Sequence, residues 1–311
     1  MKAAICTKYG PPDVLQIKEM PKPVPKDNEV LVRILAVPIT TPDRRIRGLI
    51  VPFPLGQFFV KLFLRSKFGI PRPNLVLGSF MAGRVEAVGK NVTKFHVDDE
   101  VFACTGDQRG TYAEYTCLSE DALMTQKPSN LSFEESAAIP YGGCSALHFL
   151  SRAGGVKTGQ KVLIYGASGA IGSSAVQLAK HFGAEVTGVC SGAKQDMVKS
   201  VGADFVIDYT TTDFTESDLC YDIIFDAAGK IPTSKRSKNL SENGAFITVF
   251  SRVMQLQPED LLLIKTLAEA GEFKPVIDRC YPFERIAEAH KYADEGQAKG
   301  IVLVTFPCGG R

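Results

Sequence analysis

Residues Gly166-Ala-Ser-Gly-Ala-Ile-Gly172 join an apolar run, Val162 to Tyr165, to a segment of helical spacing. Strand, small-residue turn and helix in that order suit one task. A helix start presents unpaired backbone N–H groups and the positive end of the helix dipole, which together hold a diphosphate. Gly169 and Gly172 carry no side chain to block the ligand or the packing of helix on strand. With Ala167, Ser168, Ala170 and Ile171 between them, the glycines form G/A-x-x-G-x-x-G rather than the strict G-x-G-x-x-G. Alone the pattern is weak, because a tight turn that only packs helix on strand reads the same way. Its context is stronger: Ile171, Ala175, Leu178 and Phe182 make one apolar stripe, and Glu185 to Val189 supplies a second strand, completing a βαβ unit. A dinucleotide is the expected ligand, held by the backbone of Gly166 to Ile171.

The end of the second strand reads Val189-Cys190-Ser191-Gly192-Ala193-Lys194. An NAD site places Asp or Glu there to bind the ribose hydroxyls. Here no carboxylate stands in that stretch to repel a 2′-phosphate, while Ser191 offers a hydrogen bond and Lys194 a positive charge. NADPH is therefore expected over NADH. The bland alternative for Lys194 is a solvated lysine at a helix start.

These residues need a scaffold, and the chain supplies two kinds. The first ~120 residues hold short β-like runs, such as EVLVRILAV and RVEAVG, broken by Pro and Gly clusters, which predicts a small, mostly β barrel. From about Leu123 strands alternate with helices: KVLIYG, EVTGVC, DFVIDY, YDIIFDAAG and GAFITVFS, with helices between, which predicts a parallel sheet covered on both faces. The tail adds PEDLLLIKTLAEAG, the amphipathic FERIAEAHKYADEG and a last strand, GIVLVTF. The fold class is thus α/β, a doubly wound parallel sheet joined to a mostly β barrel.

Composition narrows the function. The 311 residues carry a formal charge of +2 from 36 basic and 34 acidic side chains, with 45% apolar residues. That balance suggests neither a nucleic-acid surface nor an acidic tail or a disordered chain. Cys6, Cys104, Cys117, Cys144, Cys190, Cys220, Cys280 and Cys308 are scattered singly, so a reduced cytosolic chain is expected, and the start MKAAICTKYG lacks the apolar core of a secretory signal. The most apolar stretch, Leu49 to Ile70, is broken by Pro52, Pro54, Gln57, Lys61 and Arg65. It is expected to be an amphipathic helix or a cover over a pocket, not a membrane span.

Taken together, MKAAICTKYGPPDVLQIKE, VLGSFMAGRVEAVGKNVTKFHVDDEVFA, AAIPYGGCSALHFL, the glycine turn, VGADFVIDY and AEAHKYADEGQAKGIVLV resemble a zinc-free medium-chain dehydrogenase/reductase of the quinone oxidoreductase or enone reductase branch. The resemblance covers nearly the whole chain. It implies a GroES-like domain from residues 1–122 and 273–311, with a Rossmann cofactor domain, 123–272, inserted. It also implies Ser145 close to the cofactor, Tyr209 beside the adenosine phosphate, and Ala228 and Phe250 flanking the ribose and nicotinamide. A homodimer is the assembly it allows.

Zinc-dependent cousins need Cys where this chain has Thr40 and a His-Glu pair where it has Ser79-Phe80, and neither replacement ligates zinc. His96 and His148 read as surface or packing residues. Without a Lewis acid a simple ketone is hard to reduce, whereas a quinone or an α,β-unsaturated carbonyl spreads the incoming charge over its own π system. An NADPH-dependent reductase of such small molecules is expected; the rival is a nucleotide-binding redox sensor or structural protein with little turnover. Tyr141, beside Gly142-Gly143-Cys144-Ser145, is the candidate proton donor, against a packing role or protonation by solvent; Tyr112 and Tyr115 read as barrel residues. Thr40 and Asp43 are the other catalytic candidates, with Thr40 standing where relatives commonly have Asn. The link from ITVFS to PEDLL is short, and a sixth strand is expected at Val253 to Gln257.

Overall fold

A computed structural model describes residues 1–50, 75–250 and 256–307. Most of the apolar segment Leu49 to Ile70, Cys308 and most of the expected sixth strand lie outside the described residues. The strands in chain order are β1 (Lys2–Cys6), β2 (Leu15–Glu19), β3 (Glu29–Ile39), β4 (Leu75–Val76), β5 (Phe80–Val88), β6 (Glu100–Cys104), β7 (Tyr115–Ser119), β8 (Leu123–Gln126), β9 (Lys161–Tyr165), β10 (Glu185–Cys190), β11 (Phe205–Asp208), β12 (Tyr221–Asp226), β13 (Leu240–Thr248), β14 (Ile277–Pro282) and β15 (Ile301–Thr305). The helices that matter below are α1 (Thr41–Gly48), α2 (Phe133–Ile139), α3 (Ala170–His181), α4 (Gln195–Ser200), α5 (Pro258–Glu269) and α6 (Ile286–Asp294).

The GroES-like domain is built on β3. This strand pairs with β5, β7 and β15, and so must be apolar on both faces; Val30, Val32, Ile34, Ala36 and Val37 are all buried. β8, just past residue 122, pairs antiparallel with β6 in the same sheet. The tail returns to it through β14 and β15.

The second domain is Rossmann-like. Its five strands run parallel in the order β11-β10-β9-β12-β13. Their apolar runs are almost continuous because helices cover both faces. The order reverses between β9 and β12, so the crevice at the carboxyl ends of these two strands is the place where such a sheet binds a ligand.

Candidate active site

The glycine turn sits at that crevice. Gly166 has φ +79°, and a Cβ there would lie 2.9 Å from Ala228 Cβ at the end of the neighbouring strand. The N–H groups of Gly166 and Ala167 donate to the Val189 carbonyl at 2.9 and 3.0 Å, tying the turn to β10. Gly169 caps α3. A Cβ on Gly169 would find only the Gly166 oxygen, at 3.6 Å, so its open side faces the crevice. On Gly172 a Cβ would stand 2.1 Å from that same oxygen, so this glycine packs α3 against the turn. The two positions therefore divide the work, one leaving room for a ligand and one for the helix. This cradle and helix start fit the diphosphate of a dinucleotide.

The barrel meets the turn directly. Gly300 N–H donates to the Ser168 carbonyl at 2.8 Å, just ahead of β15. Gly142, in the wide π turns that continue α2, lies so close to α3 that a Cβ would be 2.8 Å from the Ala170 oxygen. Its neighbour Tyr141 is thereby fixed beside the turn. The result is a cleft of about 320 Å³ between the domains. Gly166, Ser168, Gly169, Ala170, Ile171, Lys194, Tyr209 and Ala228 line one side, and Ile39, Thr41, Arg44, Ala293, Ala298 and Gly300 the other, with Tyr141 among them.

Of the sequence-derived cofactor residues, Ala167 and Ser145 are fully buried off this lining, and Ser191 lies beyond its edge. Phe250 also lies outside it. Its ring covers Gly229 and carries the Arg45 guanidinium 4.8 Å from its centroid, an interdomain cation–π contact.

Thr40 and Asp43 do not face the cleft. Thr40 caps α1, and its hydroxyl donates to Asp43 Oδ2 at 2.5 Å. The Asp43 carboxylate also accepts from Gly78 N–H at 3.0 Å and Tyr112 OH at 3.1 Å. Burial pushes its carboxyl up against the pull of these donors. Both side chains are 1% exposed, so they hold the start of α1 rather than present chemistry. Thr41 and Arg44, the next residue along in each case, face the cleft instead. Sequence reasoning missed Arg44, whose arginine type gave a signal but whose direction depended on where α1 docks.

Tyr141 is 7% exposed and its hydroxyl is hydrogen-bonded to Thr41. Burial raises its pKa, against the pull of the bonds to Thr41 and the charge of Arg44 and with a push from Asp43. It remains a neutral phenol at pH 7, able to give a proton. Tyr112 is buried against Asp43, and Tyr115 is on β7, both within the barrel. His148 is buried beside Phe149, with ring centroids 5.2 Å apart, and His96 is exposed.

At the nucleotide end, Lys194 is not a freely solvated lysine. Its Nζ donates to the carbonyls of Ala298 at 2.9 Å and Gly296 at 3.3 Å, and burial lowers its pKa. The stretch from Val189 to Lys194 carries no carboxylate of its own, but one from the next strand adjoins it. Asp208, from β11, lies against Gly192, where a Cβ would be 2.4 Å from its Oδ2. It escaped notice because parallel pairing, not sequence distance, brings β11 alongside β10; the pair Cys190 and Asp208 are in register. Bonds from Thr210 lower its pKa, so it is ionised. Lys230, which follows β12, adds a third cation to Arg44 and Lys194, and no carboxylate among the described residues lines the cleft.

Among the described residues no group of three His, Cys, Asp or Glu side chains could hold a metal ion. No helix among them is long and apolar enough to cross a membrane.

A Rossmann sheet bound to a GroES-like barrel, with a glycine cradle at the seam, defines a dinucleotide-dependent oxidoreductase. Residues 26–129 match the alcohol dehydrogenase GroES-like domain, and residues 170–269 and 250–304 match zinc-binding dehydrogenase models. The chain is similar to 2-methylene-furan-3-one reductase of Solanum lycopersicum, 34% identical over 98% of this chain and 79% of the relative. It is also similar to the quinone oxidoreductase of Homo sapiens, 29% identical over 94% of this chain and 93% of the relative. The solved quinone oxidoreductase of Coxiella burnetii superposes with a TM-score of 0.85 at 26% identity, over 98% of this chain and 99% of that one. The chain belongs to the medium-chain dehydrogenase/reductase family, in its quinone oxidoreductase and enone reductase branch, and is an oxidoreductase.

Proposed function

We propose that the protein is an NADPH-dependent, zinc-independent reductase of quinones or α,β-unsaturated carbonyl compounds, acting in the cytosol. One observation carries the reading: the glycine cradle, Tyr209 and Ala228 share a cleft with Thr41, Arg44 and Tyr141. The turn from Gly166 to Ile171 would hold the diphosphate, and Lys194, with Tyr209 beside it, the 2′-phosphate. Relatives named for NADPH-dependent alkenal reduction and for quinone reduction support the substrate class. Cysteines that are free wherever described suit a reducing compartment.

When bound, NADPH supplies a hydride to an electron-poor carbon. The chain's own residues do the rest. Apolar Ile39, Ala293 and Ile301 and the aromatic Tyr141 line the cleft and limit water around the acceptor. The Tyr141 hydroxyl stands ready for charge that develops on a carbonyl oxygen, since a donor fixed in advance needs no reorganisation. Tyr141 then gives the proton that completes reduction. Ser145, Ala167, Thr40 and Asp43 act from behind the lining as support.

Mixing the purified protein with NADPH and a panel of quinones and enones, and following NADPH absorbance, tests this. Oxidation with at least one conjugated acceptor, and none with saturated ketones, is expected. Tight NADPH binding without oxidation by any acceptor would instead favour a nucleotide sensor.

A further inference from the structure

We propose that Arg44 recognises an anionic group on the acceptor, so that the preferred substrates are conjugated carbonyl compounds carrying a carboxylate. The inference rests on the reductase reading above and narrows its substrate class. Arg44 lies three residues after Thr41 on α1, so the two side chains share one helix face, and both line the cleft.

The charges around Arg44 are unequal. Its Nε donates to Asp294 Oδ1 at 2.8 Å, at the end of α6. The other oxygen of Asp294 accepts from Arg47 Nη2 at 2.5 Å. Two guanidinium groups thus share one carboxylate. Arg47 is 2% exposed and is held further by the Gly10 carbonyl and by His290 Nδ1 at 2.8 Å. His290 is kept neutral by burial and contributes no charge. The surplus positive charge therefore rests on Arg44, whose side chain is 29% exposed and whose Nη atoms bond to no described residue.

Asp294 holds the guanidinium by its Nε edge, and neither terminal nitrogen bonds to a described residue. A planar fork of that kind matches a carboxylate with two parallel hydrogen bonds. The cleft offers no competing carboxylate among its described lining. The other two cations serve a different end: Lys194 follows β10 and Lys230 follows β12, next to Tyr209 and Ala228. Arg44 stands beside Tyr141 and Thr41, where the acceptor must lie for Tyr141 to protonate it.

The test compares two aromatic enones with NADPH: trans-3-benzoylacrylate, which carries a carboxylate, and trans-4-phenyl-3-buten-2-one, which does not. In Arg44→Gln the ratio of kcat/KM for the acid to that for the neutral enone is expected to fall by roughly 10- to 100-fold, the usual loss for a charge-assisted hydrogen bond. Arg44→Lys keeps a charge without the fork and is expected to fall in between. It also keeps an ion pair with Asp294, and so carries the test alone if glutamine loosens α1 from α6. An unchanged ratio in both variants overturns the proposal. So does weakened NADPH binding that depresses both acceptors alike, which would make Arg44 a cofactor ligand. Calorimetry of saturated 3-benzoylpropionate with the protein and NADP⁺ separates this from the reductase reading. Binding that is lost in Arg44→Gln, with neither enone turned over, supports recognition and sinks only the reductase. No binding to the parent, with the neutral enone turned over, sinks recognition and spares the reductase.

Discussion

Lys194 donates its ammonium to the Ala298 carbonyl at 2.9 Å, across the seam between the cofactor sheet and the barrel. Carbonyls are weaker partners for an ammonium than a phosphate, so a 2′-phosphate placed at the end of β10 competes well for this side chain. Asp208 acts against it, since its carboxylate adjoins Gly192. The cation is expected to win because it lines the cleft and Asp208 does not. The parent should bind NADPH at least about tenfold tighter than NADH, a difference of only ~1.4 kcal/mol. Lys194→Met should remove most of that preference while leaving NADH affinity nearly as it was. Fluorescence titration of both nucleotides decides, and equal affinities in the parent would end the NADP assignment.

Tyr141 packs its ring 5.5 Å from that of Phe80 and bonds its hydroxyl to Thr41. Tyr141→Phe keeps the packing and removes only the proton. If the hydroxyl protonates the reduced acceptor, kcat should fall roughly 100-fold with little change in the melting temperature, the lower end of what general acid catalysis contributes. A variant with full kcat would hand protonation to solvent.

His290 makes stability depend on pH. Burial, followed by the charges of Arg47 and Arg44, holds its pKa well below the ordinary 6.5. The unfolded chain therefore takes up a proton near pH 6.5 that the folded chain refuses. By linkage the stabilisation is present above pH 6.5 and is lost as pH falls below it, at about 1.4 kcal/mol per pH unit for one proton. Urea unfolding of parent and His290→Gln at pH 7.5 and 5 measures this. The variant should lose less stability on acidification by about one proton's worth; identical losses would mean that His290 protonates in the folded state.

Local order was legible in the sequence, and long-range direction was not. The strand, the small residues and the apolar stripe of α3 lie within one short stretch, so the glycine turn could be read from its own residues. The barrel side could not. Thr40 and Asp43 fall one residue short of the cleft-facing pair Thr41 and Arg44, and one residue on an α-helix is a rotation of about 100°. Which side of α1 meets the cleft depends on Asp294, some 250 residues away in the chain. Asp208 was hidden for a similar reason, since strand pairing rather than proximity in sequence sets it beside Gly192.

The second and third glycines of the turn allow its role to be tested against simple packing. Gly169 has φ −85°, which any residue adopts, and its Cβ position is open except for one oxygen at 3.6 Å. Gly169→Val should therefore fold with a melting temperature near that of the parent. Its side chain would stand where a diphosphate meets the N–H groups of α3, so added NADPH should no longer raise the melting temperature as it does in the parent. Gly172→Ala makes the opposite change. Its Cβ would press on backbone atoms at 2.1 and 2.8 Å, which cannot swing aside as a side chain does, and α3 would be forced off the turn. That variant should melt well below the parent even without nucleotide. Thermal melts of the three proteins, with and without NADPH, give all the comparisons needed. A Gly169→Val protein stabilised by NADPH as strongly as the parent would show that the cofactor binds elsewhere, because no nucleotide can approach this helix start past a valine.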